Sequence, residues 1–179
     1  MRRTTLTIAL VLVCACGAAS GNGGSGVSGT ASPVALSCTP SGAASPSWST
    51  THLDTAPAIV SAAASGDSLE LEFVAGTPQF EVIPVASAQF AADPSGKPVS
   101  LAGSSGVKIV LRGFRGDVAN YTGASRLPSR GPVLLETGAI GDFEGVVSFG
   151  AGVSTPACAN VTTGASTLTF HFIAAPRAG

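Results

Sequence analysis

Through most of the chain apolar residues recur at every second position, and no stretch of ten or more repeats them at helical spacing. Leu69, Leu71 and Phe73 alternate with Ser68, Glu70 and Glu72. Val107, Ile109 and Leu111 are interleaved with Lys108 and followed by Arg112, and Leu168, Phe170 and Phe172 alternate with Thr167, Thr169 and His171. Phe80, Val82 and Pro84 follow the same rhythm against Gln79, Glu81 and Ile83, less cleanly. Side chains on a strand point to opposite faces in turn, so this period puts an apolar row on one face and a polar row on the other. The Ala-rich stretch Ala58 to Ala64 fits helix or strand, and strand is preferred because Ile59 and Val60 lead towards a Gly66-Asp67 turn. Asp93-Pro94-Ser95-Gly96 favours a type I turn, and Gly76-Thr77-Pro78 is short enough to join its flanking strands as a hairpin. Several short strands separated by turns predict an all-β sandwich with little or no helix in the domain.

The N-terminus reads as an address. Arg2 and Arg3 precede the apolar run Thr4 to Val13, which is too short to span a bilayer and fits a secretory signal. Val13-Cys14-Ala15-Cys16 then places an aliphatic residue and a small residue ahead of Cys16, as in a bacterial lipobox. The expected organisation is a signal peptide over 1–15, acylation at Cys16, and a Gly/Ser-rich tether over 16–33. A Ser/Thr/Pro-rich lead-in over 34–57 precedes the domain at 58–179. The alternative is an ordinary signal cleaved nearby. Acyl chains would anchor the protein at the extracytoplasmic face of the cell membrane without spanning it. Cys38 and Cys158 then remain, an even pair in an oxidising compartment, which predicts a disulfide; two separate buried thiols are the alternative. A net charge of −1 gives no electrostatic reason to expect nucleic-acid binding.

Chemistry is only faintly written. His52 and His171 are the only histidines, no metal-ligand spacing is present, and no metal or cofactor is expected. Ser105 and Lys108 have a Ser-x-x-Lys spacing, but on a strand they point to opposite faces. Asp142 and Glu144, two apart, share a face if extended; bends shaped by the surrounding glycines, with both carboxylates in water, are the alternative. Arg112, Arg115, Arg126 and Arg130 gather around Tyr121, either as a groove for a glycan or as solvated charges balancing nearby carboxylates. Tyr121, Arg126, Asp142 and Glu144 are therefore the candidate ligand face, and no catalytic residue is assigned.

Three stretches carry a family resemblance. Asp93-Pro94-Ser95-Gly96-Lys97-Pro98-Val99, Tyr121-Thr122-Gly123 and the glycine-rich block Gly141 to Val153, behind a lipoprotein signal, resemble the AMIN-like domain of bacterial envelope lipoproteins. The resemblance spans roughly residues 58 to 175. It implies a β-sandwich and a non-catalytic binding or scaffolding role at the envelope, with peptidoglycan the leading ligand, and it carries no catalytic or binding residue across. Thr155-Pro156-Ala157-Cys158 and Leu168 to Ile173 depart from the family's closing pattern. A carrier holding an apolar molecule such as a lipid between its sheets is the second expectation.

Overall fold

The computed structural model describes residues 56–176; Cys16, Cys38, His52 and the expected signal, tether and most of the lead-in lie outside them. Eleven strands fill the described residues, and no helix occurs among them. β1 (Ala58–Ser65) and β2 (Ser68–Val74) form a hairpin about Gly66-Asp67, and β10 (Ala157–Thr163) and β11 (Thr167–Ala174) form another. The last strand pairs with the second, giving a four-stranded antiparallel sheet in the order β1-β2-β11-β10. β3 (Gln79–Val85), β6 (Ser105–Arg112), β7 (Arg126–Pro128), β8 (Leu134–Phe143) and β9 (Val146–Val153) make a five-stranded sheet ordered β3-β6-β9-β8-β7.

The period-two rows meet between these sheets. Leu69, Leu71 and Phe73 of β2 and Leu168, Phe170 and Phe172 of β11 pack against Val107, Ile109 and Leu111 of β6 and Val147, Phe149, Ala151 and Val153 of β9. Burying each large side chain is worth roughly 1.5–3 kcal/mol, so these rows are what holds the sandwich together. Phe80 of β3 meets the edge of Phe170 at a ring separation of 5.8 Å. The polar turns fasten one sheet to the other. Asp67 Oδ1 accepts from the amides of Val133 and Leu134, both at 2.8 Å, and the Ile59 amide donates to the Asn120 carbonyl at 3.0 Å.

Two expected turns differ. Gly76-Thr77-Pro78 does not close a hairpin, because β2 and β3 belong to different sheets. Ala75 and Gly76 take positive φ there and swing the chain across the sandwich. The Asp93 turn is wider than type I: Gly96 N–H bonds back to the Ala92 carbonyl, and Ala92 N–H to that of Lys97.

The glycine-rich block, Gly141 to Val153, forms the end of β8, a tight turn and all of β9, the middle strand of the five-stranded sheet. Gly106, Gly150 and Gly152 lie on the face of the five-stranded sheet turned away from the core, with Gly106 paired to Gly152 and Gly138 to Gly150. Onto this bare surface folds a small hairpin, β4 (Gln89–Ala91) and β5 (Pro98–Ser100), which with the following residue brings down Phe90 and Leu101 beside Ile140. A Cβ on Gly150 would stand 2.9 Å from the Phe90 ring, and one on Gly152 would stand 2.0 Å from the Ala102 carbonyl oxygen. Absent side chains are what allow the hairpin to seat. This explains why Val110 and Ser148, on the phase expected to face water, are buried.

Candidate functional site

The long connection from β6 to β7, residues 113–125, runs over one end of the sandwich; backbone bonds tie its ends to Gly145 and Ala139, and one carboxylate gathers its middle. Asp142 Oδ2 accepts from the amides of Asn120 at 2.6 Å and Tyr121 at 3.1 Å, while its Oδ1 accepts from Asn120 Nδ2 at 3.0 Å. The same Asn120 amide group donates to the carbonyls of Arg115 at 2.7 Å and Val118 at 3.2 Å. An acceptor serving two backbone donors and a side-chain donor fixes the loop as firmly as a capping residue fixes a helix end. Asp142 is thus committed within the fold.

The fixed loop leaves an open depression of about 390 Å³, lined by Gly116, Asp117, Val118, Ala119, Tyr121, Asp142 and Phe143. Val118 and Phe143 on its walls are 48% and 47% exposed, high for apolar side chains. Asp117 sits at the rim, 3.1 Å from Arg115, whose hydrogen bond holds the Asp117 carboxyl pKa below its ordinary value. Tyr121 closes the inner side. Its ring meets Phe149 edge-on at 5.2 Å, its hydroxyl donates to the Ala124 carbonyl at 2.9 Å, and partial burial raises its phenol above the usual range.

Tyr121 and Arg126 do not form a common face, as a groove would require. Tyr121 stands on the core side of the five-stranded sheet with Phe149. Arg126, paired in register with Gly138, lies on the opposite face under the β4–β5 hairpin. Its guanidinium bonds to Glu136 Oε1 at 2.8 Å and also to the Ser100 carbonyl, while the other oxygen of Glu136 accepts the Ala102 amide at 2.8 Å. Glu136 and Arg126 together latch the end of the hairpin to the sheet. Arg112 and Arg115 are likewise paired, with Glu81 at 3.7 Å and Asp117.

Asp142 and Glu144 are separated as well. β8 ends at Phe143, and Glu144 with φ 49° and Gly145 with φ 75° form the two-residue turn into β9. Positive φ at both positions marks a type I′ hairpin turn, so the chain is not extended through Glu144 and the shared face is lost. The glycine after Glu144 makes that turn legible as Glu-Gly between alternating strands.

Outside this region, His171 Nδ1 lies 3.1 Å from Ser68 Oγ on the outer face of the four-stranded sheet. Ser105 and Lys108 are on strand β6, with Lys108 3.5 Å from Asp93. Among the described residues, no three metal-ligating side chains gather in one place. Val118 and Phe143 are the residues that the sequence reading passed over. Phe143 had a signal: polar Asp142 takes the core-side phase at the end of β8, opposite buried Val147, which turns the Phe outward. Val118 sits in a loop and has no periodic neighbours to betray it.

No known protein family, curated protein or solved structure matches this chain.

Proposed function

We propose that this protein is a non-catalytic binding or scaffolding module of the cell envelope, held at the extracytoplasmic face of the membrane by acylated Cys16 and closed by a Cys38–Cys158 disulfide. Peptidoglycan is its leading ligand, and the depression beside residues 116–119 is the surface that meets it. The observation that carries this reading is the pair of exposed apolar side chains, Val118 and Phe143, on a depression with an ionised Asp117 at its rim. Binding surfaces combine apolar area with a few fixed polar groups, and a half-exposed phenyl ring can lie against the C–H face of a sugar. The resemblance of three stretches to AMIN-like domains points the same way, by analogy of fold.

Binding suits this geometry better than chemistry, since Asp142 and Arg126 are engaged in holding the fold and Arg115 is paired with Asp117. Carriage of an apolar molecule between the sheets is less well supported, because Phe149, Phe170, Phe172, Leu69 and Leu71 fill that space.

The test is co-sedimentation of the full chain carrying Cys16→Ala with purified peptidoglycan sacculi. Saturable pelleting is expected, weakened at least fivefold by Phe143→Ser and by Val118→Ser. Pelleting no greater than that of an unrelated control protein overturns the ligand assignment, and equal pelleting of both variants overturns the surface. The anchor is read separately: Cys16→Ala should move the protein from the membrane to the soluble fraction.

A further inference from the structure

The two sheets are unequally covered. The five-stranded sheet is packed on one face by the four-stranded sheet and on the other by the β4–β5 hairpin. The four-stranded sheet has its second face bare of other described elements. On that face the recorded side-chain bonds are cross-strand ones, Ser61 to Glu72 and Ser68 to His171. The face is mostly polar, with Ser, Thr, Asn160 and His171 around Glu70 and Glu72, but it has exposed apolar residues at two opposite corners. Val60 and Val74 mark the corner where the chain enters β1, since Ala58 pairs with Val74. Ile173 marks the diagonal corner, and its register partner on edge strand β10 is Cys158. Cys158 alternates with core residues Ala157 and Ala159, so its side chain stands on the same outer face.

We propose that the lead-in, residues 39–57, is a strap laid diagonally across this outer face, pinned at one corner by the Cys38–Cys158 disulfide and at the other by the start of β1. The inference rests on the disulfide proposed above. Three strand spacings and eight residues of strand separate the corners, a diagonal of about 30 Å. Twenty residues lead from Cys38 to Ala58 and can reach roughly 65 Å when extended, so the crossing is made with slack. The composition fits a seated strap better than a free tether. Pro40, Pro46 and Pro57 favour extended backbone, and Lys, Arg and Glu are absent from the segment. Trp48 and Leu53 supply apolar side chains of the kind the exposed valines and Ile173 would cover.

Trp48 is the chain's single tryptophan, so its fluorescence reports on the strap alone. The experiment uses the full chain carrying Cys16→Ala, oxidised, with acrylamide as quencher. First, non-reducing peptide mapping establishes the cross-link. A Cys38–Cys158 peptide is expected, and any other pairing overturns the disulfide and the strap with it. Second, native Trp48 should be quenched at least threefold less than the urea-unfolded chain, and Val74→Glu and Ile173→Glu should each raise quenching at least twofold with the cross-link intact. Native quenching equal to that of the unfolded chain overturns the strap while leaving the disulfide standing. Should Val74→Glu or Ile173→Glu fail to fold, the native-against-unfolded comparison decides alone. If Trp48 is solvent-exposed and these variants instead change the sedimentation coefficient, the face belongs to a second copy of the chain and the strap is overturned.

Discussion

Substituting Ala for Gly152 tests the reading of the glycine-rich block most directly. Gly152 lies in the middle of the five-stranded sheet, fully committed to pairing with Gly106 on one side and Glu136 on the other. Its added Cβ would stand 2.0 Å from the Ala102 carbonyl oxygen, 2.9 Å from the Ala102 carbonyl carbon and 3.1 Å from Leu101 Cβ. Two of these obstacles are backbone, so no rotamer change relieves them and the 101–102 segment after β5 must move by more than an ångström. Overpacking of this kind costs about 1–3 kcal/mol. The displacement also strains the bond from Ala102 N–H to the Glu136 carboxylate, at 2.8 Å, and bonds to a charged group are worth about 1.5–3 kcal/mol. Partial loss of both gives about 3 kcal/mol, or roughly 10 °C in Tm for a domain of this size. At Gly150 the Cβ meets only side-chain atoms, Phe90 at 2.9 Å and Leu101 at 3.1 Å, which can give way, so Gly150→Ala should cost about 1 kcal/mol. Urea denaturation of both variants measures the difference, and hydrogen exchange should show the 89–102 segment losing protection first in Gly152→Ala. A Gly152→Ala protein as stable as wild type, or less damaged than Gly150→Ala, refutes a hairpin seated on the glycine surface.

Three further outcomes follow from the same contacts. Asp142→Ala should destabilise by about 3 kcal/mol in urea, because it strands the Asn120 and Tyr121 amides, and should open the 116–121 loop to proteolysis before the sheets. Arg126→Ala and Glu136→Ala should be less than additive, with a coupling near 1 kcal/mol in a double-mutant cycle; Arg126 is half-exposed but Glu136 only 13% so, and full additivity would mean the latch carries nothing. Burial raises the Tyr121 phenol above 10.0, so the folded state holds its proton more tightly than the unfolded chain. The sign follows: stability is unaffected by this group below pH 10.0 and falls as the pH rises past it, and the folded protein's phenolate absorbance should appear at higher pH than that of the urea-unfolded chain.

Much of the fold can be read from the chain because strand faces are written locally. Leu69, Leu71 and Phe73, and Leu168, Phe170 and Phe172, declare their buried side through alternation alone, and both rows are fully or almost fully buried. Turn chemistry is equally local where glycine must supply positive φ, as at Gly66 and Gly145. The site is less legible. Tyr121 and Asp142 meet at one end of the sandwich, where Asp142 accepts the Tyr121 amide, but Arg126 is carried to the opposite face of the sheet and Glu144 into a tight turn. Sequence proximity ranks candidates, but each residue's side chain is aimed by backbone geometry that its neighbours in the sequence do not set.

Alternation alone marks 68–73, 79–84, 107–111 and 167–172 as strands, joined by 58–64 ahead of its turn, and gives the apolar side of β2, β6 and β11, because strand and face both follow from the two-residue period of extended backbone. Which strands become neighbours, and whether an outer face is covered, is settled only when the chain has folded back on itself. The four-stranded sheet exists because β11 pairs with β2, joining Leu168 to Leu71 across most of the domain. β6 and β9 are buried on both faces because the β4–β5 hairpin folds back onto their glycines, about fifty residues from β9. Those choices are made by contacts between residues far apart in the chain, whose free energy is gained only after the intervening segments have folded back.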